Sequence, residues 1–166
     1  MQVLLTKRIL LSSIAASALV FAAKGVRAAD PGDTAAQIYA IYVDAMTQTN
    51  AALEGSPPVT LELGADLDTI KEAAVTKLVA LGHDVAAMSA SDRASVEGKL
   101  SSLVSSIHRD PATKDVYTGY QSIWKAYVGE DQEFFEKIKS LNILTQYAFF
   151  DLLRKQEPDE ADRLGV

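Results

Sequence analysis

The sequence predicts an all-α protein, a compact bundle of about five helices that follows a cleaved N-terminal signal peptide. Two observations support this fold class. Apolar residues recur at spacings of three and four along most of the chain, which is the period of a helix that buries one side. Only the stretch 59–63 alternates apolar and polar residues, and no other segment could pair with it in a sheet. With 166 residues, 48% of them hydrophobic, the chain is long enough for one domain with its own core.

The N-terminal segment 1–28 has the pattern of a secretory signal peptide. A basic pair at 7–8 precedes an apolar run at 9–23, and the triplet 26–28 offers aliphatic and small residues at the −3 and −1 positions of a cleavage site. The apolar run is shorter than the roughly 20 residues that span a bilayer. We therefore expect cleavage after Ala28, a periplasmic or secreted mature chain, and no stable insertion into a membrane.

The first predicted helix covers about 34–54. Thr34 followed by Gln37 fits a capping box, and the apolar rhythm then continues until Gly55. The prolines that follow break the helix, and we expect 59–63 to be an extended connector. This connector should pack on the bundle through Val59, Leu61 and Leu63.

Two further helices are predicted to follow the connector. The second has Asp66 or Asp68 as its cap, and its apolar rhythm runs without interruption through Gly82. We therefore expect one helix with a weak point at the glycine rather than two helices. The third helix covers about 90–108 and begins with a capping-type pattern at Ser89.

Two more helices are predicted in the C-terminal third. The Asp-Pro pair at 110–111 ends the third helix and starts the fourth, which stops near Gly129. The fifth begins among acidic residues and continues to about Lys155, and Asn142 marks a point where it can kink or divide. The last ten residues are predicted to be an acidic, mostly solvated tail with at most a short helical turn. The predicted domains are therefore 1–28, 29–156 and 157–166.

The composition of the mature chain excludes several kinds of site. Without its first 28 residues the chain has 12 basic and 22 acidic side chains, a net charge of −10 that repels nucleic acid and favours a cationic protein partner. It has no cysteine, which excludes disulfides, thiol chemistry and c-type haem attachment. No Glu-x-x-His pair, Gly-x-Ser-x-Gly turn or glycine-rich phosphate loop occurs. We therefore predict no catalytic residue, no bound metal and no cofactor.

The densest group of aromatic residues lies in the C-terminal half. Tyr117, Tyr120, Trp124 and Tyr127 recur at helical spacing on the fourth helix, and Glu130 follows them. Such a stripe can be core, which is the ordinary outcome, or a contact surface on which tyrosine and tryptophan act as anchors with a polar tip. Our hypothesis is that these five residues bind a partner. The glycine between the first two tyrosines can permit close helix approach or open a shallow groove.

Together these observations favour a non-enzymatic exported protein that binds another protein, as an inhibitor, an immunity factor or an assembly partner. Two alternatives remain open. One is a carrier that holds a small apolar ligand in a cavity between helices. The other is a carboxylate-dependent hydrolase that acts on envelope polymers, for which two facing carboxyl groups with perturbed pKa values would be needed.

Overall fold

A computed structural model describes residues 30–129 and 131–166, and all regular secondary structure within them is helical. The elements are α1 (Pro31–Ala52), α2 (Leu61–Ala87), α3 (Ala90–Ser106), α4 (Lys114–Ala126), α5 (Gln132–Ser140), a 3₁₀ helix (Leu141–Ala148), α6 (Phe150–Gln156) and α7 (Pro158–Leu164). The predicted all-α class is thus confirmed for the described residues, which form seven α-helices and a 3₁₀ helix rather than about five helices. The predicted signal peptide and Glu130, one of the predicted partner-binding residues, lie outside them. Within the described part, no helix combines the length and hydropathy needed to cross a membrane.

Helix α1 lies at the centre of the bundle and contacts α2, α3, α4 and the 3₁₀ helix. It begins at Pro31, three residues before the predicted start. Asp30 is the cap, because its carboxylate accepts hydrogen bonds from the Gly32 and Asp33 amides at 2.7 and 3.1 Å. The predicted cap, Thr34, is instead a buried residue of the first turn, and its hydroxyl donates to the Asp30 carbonyl at 3.0 Å.

Helix α2 begins at Leu61, so the predicted extended connector is wrong from that residue onward, and so are the predicted caps at Asp66 and Asp68. Thr60 is the cap, and its hydroxyl accepts a hydrogen bond from the Leu63 amide at 3.1 Å. A five-residue alternation fits the first turn of a helix as well as a strand, since one such turn has too few residues to reveal the period. Of the connector residues that were predicted to pack on the bundle, Leu63 packs against the core, whereas Leu61 is 97% exposed.

The prediction of one uninterrupted helix through Gly82 is confirmed, and packing explains the glycine. A β-carbon at this position would lie 2.5 Å from the Phe150 ring and 3.2 Å from the Tyr147 carbonyl oxygen. The glycine therefore lets the chain after the 3₁₀ helix cross directly over α2. His83, the next residue, meets the same phenylalanine edge-on, with 5.1 Å between ring centroids.

The predicted start of α3 is confirmed, since the Ser89 hydroxyl accepts a hydrogen bond from the Asp92 amide at 3.2 Å. The start of α4 is later than predicted. Asp110 accepts from the Ala112 amide at 2.9 Å and so closes a turn, and the helix begins only at Lys114. An Asp-Pro pair stabilises an isolated turn as readily as a helix start, and here the turn forms.

The predicted fifth helix is divided, and the division starts at Leu141, one residue before the predicted point. Leu141, Leu144 and Tyr147 are buried at a spacing of three. A 3₁₀ helix has three residues per turn, so these side chains lie along one line and all reach the core. Burial on this line favours the 3₁₀ geometry over a continuous α-helix.

The C-terminal segment forms the short helix α7, which docks on the bundle while its outer residues stay exposed. Ala161 is buried, and the Glu160 carboxylate accepts a hydrogen bond from the Tyr147 hydroxyl at 2.9 Å. Arg163 pairs with Glu160 at 2.8 Å and with Glu72 of α2 at 3.0 Å. The sequence prediction of at most a short turn missed these contacts, because they depend on partners distant in the chain.

Candidate partner-binding site

Two of the predicted partner-binding tyrosines lie in the core. Tyr120 is 3% exposed, and its hydroxyl donates to the Ile138 carbonyl of α5 at 2.6 Å. Tyr127 is also buried, and its hydroxyl donates to the Pro57 carbonyl at 2.6 Å, which ties the end of α4 to the loop between α1 and α2. Both rings therefore hold helices together and are not part of the exposed surface.

The chemistry of the buried tyrosines is that of neutral hydrogen-bond donors. Burial raises the pKa of Tyr42 on α1 to about 12, with the neighbouring Tyr117 and Tyr39 hydroxyls adding to the effect. Burial likewise raises the pKa of Tyr120. These hydroxyls remain protonated near neutral pH, so they donate hydrogen bonds and do not serve as bases or nucleophiles.

The other two described residues of the predicted set are half-buried. The Tyr117 hydroxyl accepts a hydrogen bond from the Gln121 amide at 2.9 Å. The ring of Trp124, the single tryptophan of the chain, packs on Phe135 with 5.4 Å between centroids. Its indole N–H is buried and has no hydrogen-bond partner among the described residues. Trp124 thus lies at the margin of the core.

The most exposed apolar side chains are aliphatic and lie at one end of the bundle. Four large apolar side chains of the described residues are clearly exposed, and three of these, which we call the apolar patch, are Val59 (36%), Leu61 (97%) and Val128 (57%). The fourth, Leu152 (36%), belongs to α6. The sequence predicted that Val59 and Leu61 pack on the bundle, and it gave no prediction for Val128.

The Tyr127–Pro57 hydrogen bond explains why these residues lie at the same end. Val128 follows Tyr127 directly, and the two other patch residues come two and four positions after Pro57. Phe134 packs on Tyr127 with 5.0 Å between ring centroids, which brings the start of α5 to this end as well. The C-termini of α1 and α4 and the N-termini of α2 and α5 therefore meet around the patch.

Acidic side chains surround this end. Within the described parts of 53–66 and 123–134 the exposed carboxylates, which we call the acidic rim, are Glu54, Glu62, Asp66, Asp131 and Glu133. Lys125 is the one basic residue of those described stretches. Glu62 and Glu133 also lie in first helical turns, where the helix dipole favours an acid. That contribution does not apply to Glu54, which follows the end of α1.

A shallow groove lies between α1 and α4, and one of its lining residues, Ser56, precedes Val59 of the patch by three positions. It has a volume of about 520 Å³ and is lined mostly by small residues, among them Ala51, Gly55, Gly119 and Ser122. A β-carbon on Gly119 would lie 2.9 Å from the side-chain nitrogen of Asn50, which donates to a backbone carbonyl of α4. This glycine therefore permits the close approach of α1 and α4, as the sequence suggested, and it lines the groove as well.

A second concave surface, of about 310 Å³, lies where α2, α3 and α6 meet. It is lined by Gly82 and several alanines together with Phe149, Phe150 and the exposed Leu152. At its rim the Asp151 carboxylate lies 3.0 Å from the Arg154 guanidinium and 3.9 Å from that of Arg93. This cleft is open to solvent and ion-paired at its rim, unlike the enclosed apolar cavity that a carrier of apolar ligands would need.

Two findings concern metal ligands and the protonation of one partly buried carboxyl group, that of Glu160. The described residues contain no group of three or more histidine, aspartate or glutamate side chains that could hold a metal ion. Hydrogen bonds from Arg163, and also from Tyr147, lower the pKa of Glu160 to about 2. This carboxyl is therefore ionised near neutral pH and cannot act as a proton donor there.

Comparison with known proteins gives no family for this chain. No protein-family model, no curated protein and no solved structure matches it. The function is therefore argued from the site itself.

Proposed function

We propose that the mature chain is a non-enzymatic, exported protein that binds another protein at the end of the bundle formed by the apolar patch and the acidic rim. The observation that carries this proposal is the grouping of Val59, Leu61 and Val128. Single exposed leucines or valines are ordinary on protein surfaces. Three at one end, surrounded by charged residues, have the arrangement of a contact surface with a polar rim.

The contacts that fix the loop beneath the patch favour a binding role for its exposed side chains. The loop that carries Val59 is fixed by the Tyr127 hydroxyl at Pro57, and Tyr127 itself packs on Phe134. A contact surface held in one conformation loses little entropy when a partner binds. Leu61 lies in the first turn of a 27-residue helix, which also limits its motion.

The charge of the mature chain favours a cationic partner in the periplasm or outside the cell. A net charge of −10, with five carboxylates around the patch, accelerates the encounter with a positively charged surface. An inhibitor, an immunity factor or an assembly partner would each use this property. The pattern of residues 1–28 supports the location.

The test compares two exposed leucines. We expect Leu61→Gln to reduce retention of a partner from native envelope extract about tenfold or more, the size of a lost anchor residue. Leu152→Gln, which removes an exposed leucine from α6, is the matched control and should leave retention unchanged. A retained protein counts in favour of the proposal only if it depends on Leu61. Equal retention by both variants would overturn it.

A further inference from the structure

The groove between α1 and α4 includes Ser56, three positions before Val59 of the apolar patch, and Glu54 gives it a negative charge. We infer that the partner presents a cationic amphipathic helix, which lies in this groove with its apolar side toward the patch and its basic side chains toward the acidic rim. This inference rests on the proposed function, because it names the chemistry of the partner that binds there.

The first argument concerns the mode of recognition. Partner peptides bind folded domains by adding a strand to a sheet edge, by placing a helix in a groove, or through a few more specialised modes. The described residues contain no strand, so they offer no sheet edge. A groove between two helices, next to exposed aliphatic side chains, is the feature that remains, and a partner helix can fill it.

Second, the small residues that line the groove favour the close approach of a partner helix. Helices pack at interaxial distances of about 8–10 Å, and small residues at the contact permit the closer distances. The groove is lined by residues with short side chains, which include Ala51, Gly119 and Ser122. Gly55 and Ser56, which also line the groove, have φ values of +75° and +51°, so the chain turns away sharply after α1.

The third argument is charge. Glu54 lines the groove itself, and the other rim carboxylates lie beyond its end. Lysine and arginine side chains flanking an apolar stripe would meet these carboxylates, whereas an acidic helix would be repelled. A second copy of this chain is disfavoured for the same reason, because two acidic rims would face each other.

A second groove of the same molecule shows that small residues alone do not make this site. The groove between α1 and α3 has a volume of about 560 Å³ and is lined by Gly32, Ala36, Gly98 and other small residues. It is lined by Lys99 in place of a carboxylate, so it lacks the negative charge that Glu54 gives to the groove between α1 and α4. It therefore serves as an internal control.

Trp124 provides the readout, because it is the single tryptophan and follows the groove residue Ile123. The probe is a tryptophan-free peptide of about 14 residues, four helical turns, with leucines at spacings of three and four and lysines elsewhere. Titrated into protein purified from cells that express the full chain, it should change Trp124 fluorescence saturably. Glutamates in place of the lysines, or the same residues scrambled, should weaken binding about tenfold or more.

Matched variants locate the site. Glu54→Gln should weaken binding of the lysine peptide, and Ala51→Leu should block it by filling the groove, while Lys99→Gln should leave it unchanged. Both substituted groove residues are exposed, so these proteins should fold, and circular dichroism checks that they do. Equal binding of the lysine and glutamate peptides, or binding unaffected by Glu54→Gln and Ala51→Leu, would overturn the inference.

A competition experiment separates this inference from the proposed function. The lysine peptide should displace a partner whose retention depends on Leu61. If the partner depends on Leu61 but the peptide neither binds nor competes, the helix inference fails and the proposed function stands. If retention does not depend on Leu61, the proposed function fails as well.

Discussion

The anchored tyrosines and the apolar patch use their side chains in opposite ways. Tyr120, Tyr127 and Tyr147, which we call the anchored tyrosines, are buried, and each hydroxyl donates to an oxygen of another element. The patch consists of aliphatic side chains that are exposed to solvent to different degrees, from 36% for Val59 to 97% for Leu61. The aromatic residues of this comparison thus stabilise the fold, whereas the aliphatic residues at the helix ends are exposed.

The largest expected effect comes from removing an anchored ring. Tyr120→Ala should lower the free energy of unfolding by about 3–5 kcal/mol, since it leaves a cavity and removes the hydroxyl that donates to the Ile138 carbonyl. Denaturant unfolding followed by circular dichroism measures the change. A loss below about 1 kcal/mol would mean that the ring is not part of the core.

Alkaline pH should unfold the protein through its buried tyrosines. The pKa of Tyr42 is raised to about 12 in the folded state, against about 10 for an ordinary tyrosine, so it stabilises the fold fully below pH 10 and loses this contribution as pH rises toward 12. The Tyr42→Phe variant, which cannot ionise at this position, should lose less stability over that range. An identical dependence of stability on pH for the two proteins would contradict the raised pKa of Tyr42.

Removing the hydroxyl that connects the two regions should have a moderate effect on stability. Tyr127→Phe removes the hydrogen bond to the Pro57 carbonyl, which should lower the free energy of unfolding by about 1–2 kcal/mol. It should also weaken partner binding, because the loop that carries Val59 is no longer fixed. If stability falls while binding is unchanged, the hydrogen bond does not organise the patch.

Acid should weaken the contact between Tyr147, one of the anchored tyrosines, and Glu160 of helix α7. The pKa of Glu160 is lowered to about 2 from an ordinary value near 4.5, chiefly by Arg163, so its contribution is present above pH 4.5 and is lost as pH falls toward 2. The pair with Arg163 is partly exposed, so we expect Glu160→Gln to cost no more than about 1 kcal/mol at pH 7. The difference between the two proteins, measured by unfolding at several pH values, should vanish at low pH.

The smallest expected effect on stability belongs to the patch. Leu61→Gln should change the free energy of unfolding by less than about 0.5 kcal/mol, because the side chain is already in water. Thermal unfolding of both proteins checks this. A larger loss would mean that Leu61 packs in the folded state and that the patch is smaller than described.

The sequence predicted the helical fold class, the continuity of α2 through Gly82 and the cap at Ser89, because these follow from local period and capping chemistry. It could not place Tyr120 and Tyr127, since an amphipathic helix has one apolar side whether that side meets the core or a partner. It also misplaced Leu61, whose exposure depends on Thr60 starting α2 earlier than the period indicated. The docking of α7 depends on Tyr147 and Glu72, which are remote in sequence.

The most direct test of the division between fold and contact surface compares partner retention by Leu61→Gln and Tyr120→Phe. The account predicts that Leu61→Gln loses the partner with unchanged stability. Tyr120→Phe, which removes only a buried hydroxyl, should keep the partner although its free energy of unfolding falls. The opposite pattern, in which Tyr120→Phe loses the partner and Leu61→Gln retains it, would contradict the account.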